Sequence, residues 1–165
     1  MAFVTGDGKE MKKIFKLIVG TLVFFTLLWG CSGNKTEHPN GKSSRFLDCP
    51  DSPNCVSSLA TDPKHRIEPF KLKKDYKTGW ATVQRTVGAL PRTKIVSSDN
   101  SDVHAECRSM IFRFVDDLIL HLNTSNGLIH VRSASRTGYS DFGVNRRRVE
   151  SLRKKLRNMD IIMTS

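Results

Sequence analysis

Seven residues able to do chemistry recur at alternate positions: His104, Glu106 and Arg108, then Asp117 and His121, then His130 and Arg132. If their segments are strands, alternation sends all seven to one face of a sheet. Three imidazoles, two carboxylates and two guanidiniums could hold an anion or a metal there. They could also form an acid/base site, with His104, Glu106, Asp117 and His130 at its centre. The plainer reading is a face that is charged because it is wet. The neighbours Asp116 and Asp117 point to opposite faces, so they do not share a substrate. One of them is expected to accept hydrogen bonds from Arg132 or Arg136 in a partly buried ionic network.

The second concentration of chemistry runs from Ile129 to Arg157, with nine basic residues against Asp141 and Glu150. The whole chain of 165 residues carries a formal charge of +11, so much of the excess sits here. Arginine offers paired donors in a plane and suits phosphate or carboxylate. Arg132, Arg136, Arg146 and Arg147 are therefore candidate anion-binding residues. Arg146, Arg147, Arg153, Lys154 and Arg157 lie off the apolar stripe of the last helix, and a solvated helix face is the competing reading. Glu150 is placed to pair with Lys154 or Arg146, and Asp141 to cap the helix. Ser133, Ser135 and Ser140 lack a GxSxG elbow or an SxxK pair, and Ser133 and Ser135 point away from the histidines, which argues against a serine hydrolase.

These groups need a scaffold. Tyr76, Trp80, Val83, Val87 and Leu90 follow helical spacing, and Pro91 ends that helix. Strands are expected over Thr93–Ser98, Asp102–Ser109, about Val115–Asn123 and Gly127–Ser135. Asn126-Gly127 reads as a two-residue hairpin turn that sets Leu122 opposite Val131 and His121 opposite Arg132. A final helix from Val144 to about Asn158 continues a stripe of Phe142, Val149, Leu152, Leu156 and Met159. The expected fold is α+β: an antiparallel meander of about four strands with two helices on one face. Val103, Ala105, Cys107, Leu118, Leu120, Leu122, Ile129 and Val131 would face the helices.

Upstream, Cys49 and Cys55 lie six apart around Pro50 and Pro53. In an oxidising compartment a disulfide is the default; metal ligation with His65 is the alternative, though no CxxC pair supports it. Cys107 reads as a small core residue. The segment Leu59–Asp75, broken by Pro63 and Pro69, is expected to run extended along the domain's edge.

The N-terminal stretch reads as an address. Lys12, Lys13 and Lys16 precede an uncharged apolar run, Leu17 to Trp29, too short to span a bilayer but suited to a signal peptide. Leu28-Trp29-Gly30-Cys31 resembles the lipobox of bacterial lipoproteins, in which the cysteine thiol is lipidated and the peptide cut before it. Trp29 is bulkier than that pattern favours, and an uncleaved signal anchor is the alternative. Ser32 in place of Asp implies onward transfer to the outer membrane. The expected organisation is a signal peptide over 1–30 with Met11 as the natural start, a lipidated tether over 31–46, and one domain over 47–160.

Five blocks in order, CPDSPNCVSS (Cys49–Ser58), HRIEP (His65–Pro69), HAECRS (His104–Ser109), FVDD (Phe114–Asp117) and HVRSASRTGYSDFGVNRRRVE (His130–Glu150), resemble the domain-of-unknown-function 1499 family. The likeness runs from about Leu47 to Leu156. It implies one domain that includes the cysteine loop, and it carries no reaction, cofactor or site.

The functional expectation is a cell-envelope lipoprotein facing the periplasm, held to the membrane by lipid on Cys31. Its domain is read as a non-enzymatic module for an anionic lipid, glycan or protein partner, with no cofactor and no metal. Export argues against nucleic acid as the partner of its basic charge. An envelope enzyme using the polar strand face is the alternative, and a purely structural lipoprotein is a third reading.

Overall fold

The computed structural model describes residues 49–73, 75–109 and 114–164. The chain divides into two units, Met1–Glu37 and His38–Ser165, and every described residue belongs to the second. The signal-peptide region, Cys31 and the tether over 31–46 lie outside the described residues. Among the described residues no helix is long and apolar enough to cross a membrane.

The elements, in chain order, are β1 (Cys55–Ser57), β2 (Phe70–Lys71), α1 (Tyr76–Gly88), β3 (Thr93–Ser98), β4 (Asp102–Arg108), β5 (Val115–Asn123), β6 (Leu128–Ser135) and α2 (Val144–Asn158). β3 to β6 form the expected antiparallel meander, each strand beside the next. The sheet nevertheless has six strands rather than four. β1 and β2 both pair antiparallel with the outer edge of β6, β1 along Arg132–Ala134 and β2 along Leu128–Ile129. The cysteine loop therefore leads straight into the sheet, and the proline-broken segment after it does run along the edge.

Ser58 fills the gap between these two short strands. Its backbone N–H donates to the carbonyl of Val131 at 2.8 Å, and its Oγ accepts from the N–H of Val131 at 2.9 Å. A hydroxyl thus serves an edge amide that no backbone carbonyl reaches, and a buried amide cannot go unpaired cheaply.

Both helices pack on one face of the sheet. Trp80, Val83 and Val87 of α1, and Val149, Leu152 and Leu156 of α2, bury themselves against Val103, Ala105, Cys107, Leu118, Leu120, Leu122, Ile129 and Val131. All eight strand residues expected to face the helices do so. Val56, Ile67, Phe70, Leu72, Leu90 and Ile162 complete the core. α1 starts where the Asp75 carboxylate accepts from the N–H of Thr78, which holds that exposed carboxyl below its usual pKa.

Two further expectations need correction. The β5–β6 turn is a four-residue loop, Thr124 to Gly127, so His121 faces His130 and Leu122 faces Ile129. Asn123 and Asn126 stabilise the longer loop, their Oδ1 atoms accepting from the N–H groups of Ser125 and Leu128. Gly127 has φ +66°, and a Cβ there would lie 2.5 Å from the Tyr76 ring. The register moved by two residues, which preserves which face each side chain takes.

The second correction concerns α2. Its inward stripe is Asn145, Val149, Leu152 and Leu156, all buried, while Phe142 and Met159 are exposed. Phe142 precedes the helix and is separated from it by Gly143, whose φ is +76°. The helical phase at this end is carried by an asparagine, which an apolar pattern passes over.

Candidate functional site

The face of the sheet away from the helices is a grid. Across the strands one row holds Asp102, His121 and His130. The next holds Ser97, His104, Ile119, Arg132 and Ser57, and the third holds Lys94, Glu106, Asp117, Ala134 and Cys55. The face is not uniformly wet, because Asp117, Ile119 and Ala134 are buried within it.

Asp117 is the hub. Its Oδ1 accepts from His104 Nε2 at 2.6 Å and from Arg136 at 2.7 Å, and its Oδ2 accepts from Arg136 Nε at 2.9 Å. Burial alone would push this carboxyl up. The hydrogen bonds from His104 and Arg136 outweigh that and hold it well below the ordinary 3.8. The bond to Asp117 in turn raises Arg136, which also donates to Glu106 at 2.9 Å. Glu106 in turn lies 3.7 Å from the Arg108 guanidinium. Asp117 is thus the member of the expected network that binds arginine on this face.

His130 lies outside that hub. It sits opposite His121, whose Nδ1 is 2.8 Å from Asp102 Oδ1. Burial lowers the His130 pKa, and the charge of His121 lowers it further. Its Nδ1 is 3.4 Å from Ser58 Oγ. Of the four residues proposed as an acid/base site, the fold joins His104, Glu106 and Asp117, and sets His130 in a separate row. A carboxyl held as low as Asp117 is a weak base, so the hub is better at fixing charge than at moving protons.

The four candidate arginines are likewise divided. Arg132 lies in the middle row of the open face, where burial lowers its pKa against the pull of Asp117. Its Nε is buried with no hydrogen-bond partner among the described residues. Arg136 closes over the hub from the end of β6. Arg146 and Arg147 belong to the first turns of α2, in the other layer. Arg146 donates to the carbonyls of Arg66 at 2.9 Å and Lys64 at 2.7 Å, and Arg147 donates to the carbonyl of Phe142 at 2.7 Å. These bonds orient both guanidiniums without cancelling their charge.

Where the cysteine loop meets the start of α2, a cleft of about 220 Å³ is lined by Asp51, Lys64, His65, Tyr139, Asp141 and Arg146, among others. Cys49 and Cys55 form a disulfide with a Cα–Cα distance of 5.6 Å. His65 is not a partner of the sulfurs; its Nδ1 lies 2.9 Å from the Cys55 carbonyl. Among the described residues no group of His, Cys, Asp and Glu is arranged to hold a metal. Cys107 is free and buried, and burial raises its pKa.

A buried polar cluster that the sequence pattern did not reveal ties this region together. Arg148 donates to Asp116 at 2.6 Å and to Ser133 Oγ at 3.1 Å. Ser133 Oγ donates to Asn145 Oδ1 at 2.5 Å, and Asn145 Nδ2 reaches the Asn54 carbonyl at 3.0 Å and Ser135 Oγ at 3.1 Å. Ser133 thus turns toward the helix layer, away from the histidines. The available signal was the spacing of Asn145 from Val149, Leu152 and Leu156. Asp141 does cap the turn into α2, its two oxygens accepting from the N–H groups of Gly143 at 2.9 Å and Asn145 at 2.6 Å. Glu150, by contrast, pairs with Arg153 at 3.0 Å. Arg153 is buried, stacked 4.6 Å over the Phe70 ring, so it does not belong to a solvated face.

These features define a class: an α+β domain with one apolar and one ionic sheet face, clasped at the edge by a disulfide loop. The family model described as a protein of unknown function, DUF1499, matches residues 45–156, and the chain belongs to that family. No curated protein and no solved structure matches it.

Proposed function

We propose that this chain is a cell-envelope lipoprotein, anchored through lipid on Cys31, whose domain is a non-enzymatic binding module for an anionic partner. The observation that carries the binding reading is the state of Arg146 and Arg147. Both are held in place by backbone carbonyls rather than carboxylates, and Arg146 lines a cleft that also presents Lys64, Asp51 and Asp141. A cation that is oriented but not neutralised is prepared for an anion at little further entropic cost. Arg136 is differently placed, since Asp117 and Glu106 already compensate its charge. Arg132, sunk into the sheet face, is a secondary contact in this reading.

The test uses the full chain in neutral-detergent micelles, titrated with a soluble polyphosphate and a soluble polyuronate. Replacing Arg146 and Arg147 by Gln should weaken binding at least tenfold, with a reduced salt dependence. Replacing Lys154 and Lys155 by Gln removes equal charge from the same helix and should do much less. Equal losses from both pairs would leave only a diffuse basic field and end the proposal of a site.

A second reading, an envelope enzyme with His104, Glu106, Asp117 and His130 on the open sheet face, is favoured by one observation. His104 of this set, and His121 beside it on the same face, are each hydrogen-bonded to a carboxylate, as orienting pairs are in acid/base sites. Turnover of an envelope substrate that disappears in a folded His130→Ala variant would establish it.

A further inference from the structure

The loop between β6 and α2 presents two aromatic rings to solvent, Tyr139 at 76% exposure and Phe142 at 86%. Phe142 holds φ +53°, a left-handed conformation that bulky side chains rarely adopt, between Gly138 and Gly143, which also have positive φ. Ser140 Oγ and the Asp141 carboxylate accept from the N–H groups of Phe142 and Gly143, and Arg147 binds the Phe142 carbonyl. The loop is braced in a form that keeps its largest apolar side chain out of the core. Strain of this kind persists where the surrounding contacts over-determine it, and it gathers at functional positions.

The chemistry of the tip is specific. Its one carboxylate, Asp141, is turned onto two backbone N–H groups, and against that single negative charge stand the guanidiniums of Arg146 and Arg147, both held by carbonyls. Exposed aromatic rings flanked by guanidiniums match the boundary of an anionic bilayer, where rings settle at headgroup depth and cations meet phosphate. We propose that Tyr139 and Phe142 enter the interface of an anionic membrane, with Arg146 and Arg147 on its phosphates. This rests on the anionic-partner reading above and selects lipid from the partners it allows. It also agrees with the proposed anchor: fifteen residues separate Cys31 from Leu47, so a lipidated Cys31 would keep the domain within about 50 Å of the bilayer.

The experiment places the full chain in proteoliposomes of phosphatidylglycerol with phosphatidylcholine, or of phosphatidylcholine alone, and compares Phe142→Trp with the parent. The difference spectrum isolates position 142 from the native tryptophan of the mature chain, Trp80. In anionic liposomes this emission should shift to the blue and be quenched by lipids brominated near the headgroup. Both effects should fade in phosphatidylcholine alone and on adding Arg146→Gln with Arg147→Gln. A solvent-like, unquenched emission in anionic liposomes overturns the proposal. If the same emission instead responds to the soluble polyuronate, the anionic-partner reading survives with a glycan as its ligand. If the arginine pair affects neither polyphosphate nor polyuronate binding, that reading fails as well.

Discussion

Arg136 grips Asp117 with two of its nitrogens, Nε on Oδ2 at 2.9 Å and a terminal nitrogen on Oδ1 at 2.7 Å. The side chains are unequal in exposure, 10% for Asp117 and 36% for Arg136. The carboxylate therefore depends on the pair more than the guanidinium does. This clasp joins the end of β6 to the start of β5 and recruits His104 and Glu106 from β4.

The clasp has a pH signature. Asp117 has a depressed pKa in the folded state, so its stabilisation is present above the unfolded value near 3.8 and is lost as pH falls below it. Asp117→Asn should lower stability at pH 7 by about 1–3 kcal/mol, discounted for the exposure of Arg136. The gap between variant and parent should narrow from pH 5 to pH 2. Urea midpoints across that range would show it, and a gap independent of pH would mean that the carboxylate charge is not what the clasp uses.

His130 should titrate below 6.5, because burial and the His121 charge both disfavour its imidazolium. A lowered folded pKa means that its contribution is intact above 6.5 and declines as pH falls through the interval beneath it. His121→Gln should move the His130 midpoint upward, toward 6.5, when followed by imidazole proton resonances. A midpoint that stays put would assign the shift to burial alone.

The Asp116–Arg148 pair is buried on the opposite face, with side-chain exposures of 5% and 12%. Arg148→Ala strands a carboxylate in the core and should cost about 3–5 kcal/mol. Arg148→Met combined with Asp116→Asn should cost clearly less than the two single changes added together. Additivity in chemical denaturation would show that the two groups do not act as a unit.

Cys49→Ser opens the short disulfide loop that leads into β1. Closure of so short a loop is worth about 2–3 kcal/mol in the chain-entropy model. The variant should lose that amount, and amide exchange should quicken first at Val56 and Ser57, which lie on the edge of β6. Equal destabilisation of parent and variant by a reductant would place the effect elsewhere.

Much of the scaffold was legible because its signals are local. Helix α1 and strands β3 to β6 follow from period and punctuation, and alternation alone assigned eight apolar strand residues, from Val103 to Val131, to the helix face. The two-residue error at the β5–β6 turn left that assignment untouched, since a shift of two keeps each side chain on its face. What went unread depended on distant partners. Three-residue β1 and two-residue β2 have no pattern of their own and exist because β6 has an unserved edge. Phe142 looked like core by spacing, and Asn145 took the inward place because Ser133, Asn54 and Arg148 were there to satisfy it.

The sequence by itself determined the α+β class, the two-faced sheet, the disulfide loop and the excess of basic over acidic residues, all set by side-chain period and composition. Only the tertiary structure decided which arginines have their charge balanced by a carboxylate. Arg136, Arg148 and Arg153 meet carboxylates, while Arg146 and Arg147 meet carbonyls. Neutralisation depends on distances of a few ångströms between residues far apart in the chain, and linear spacing carries no record of those distances.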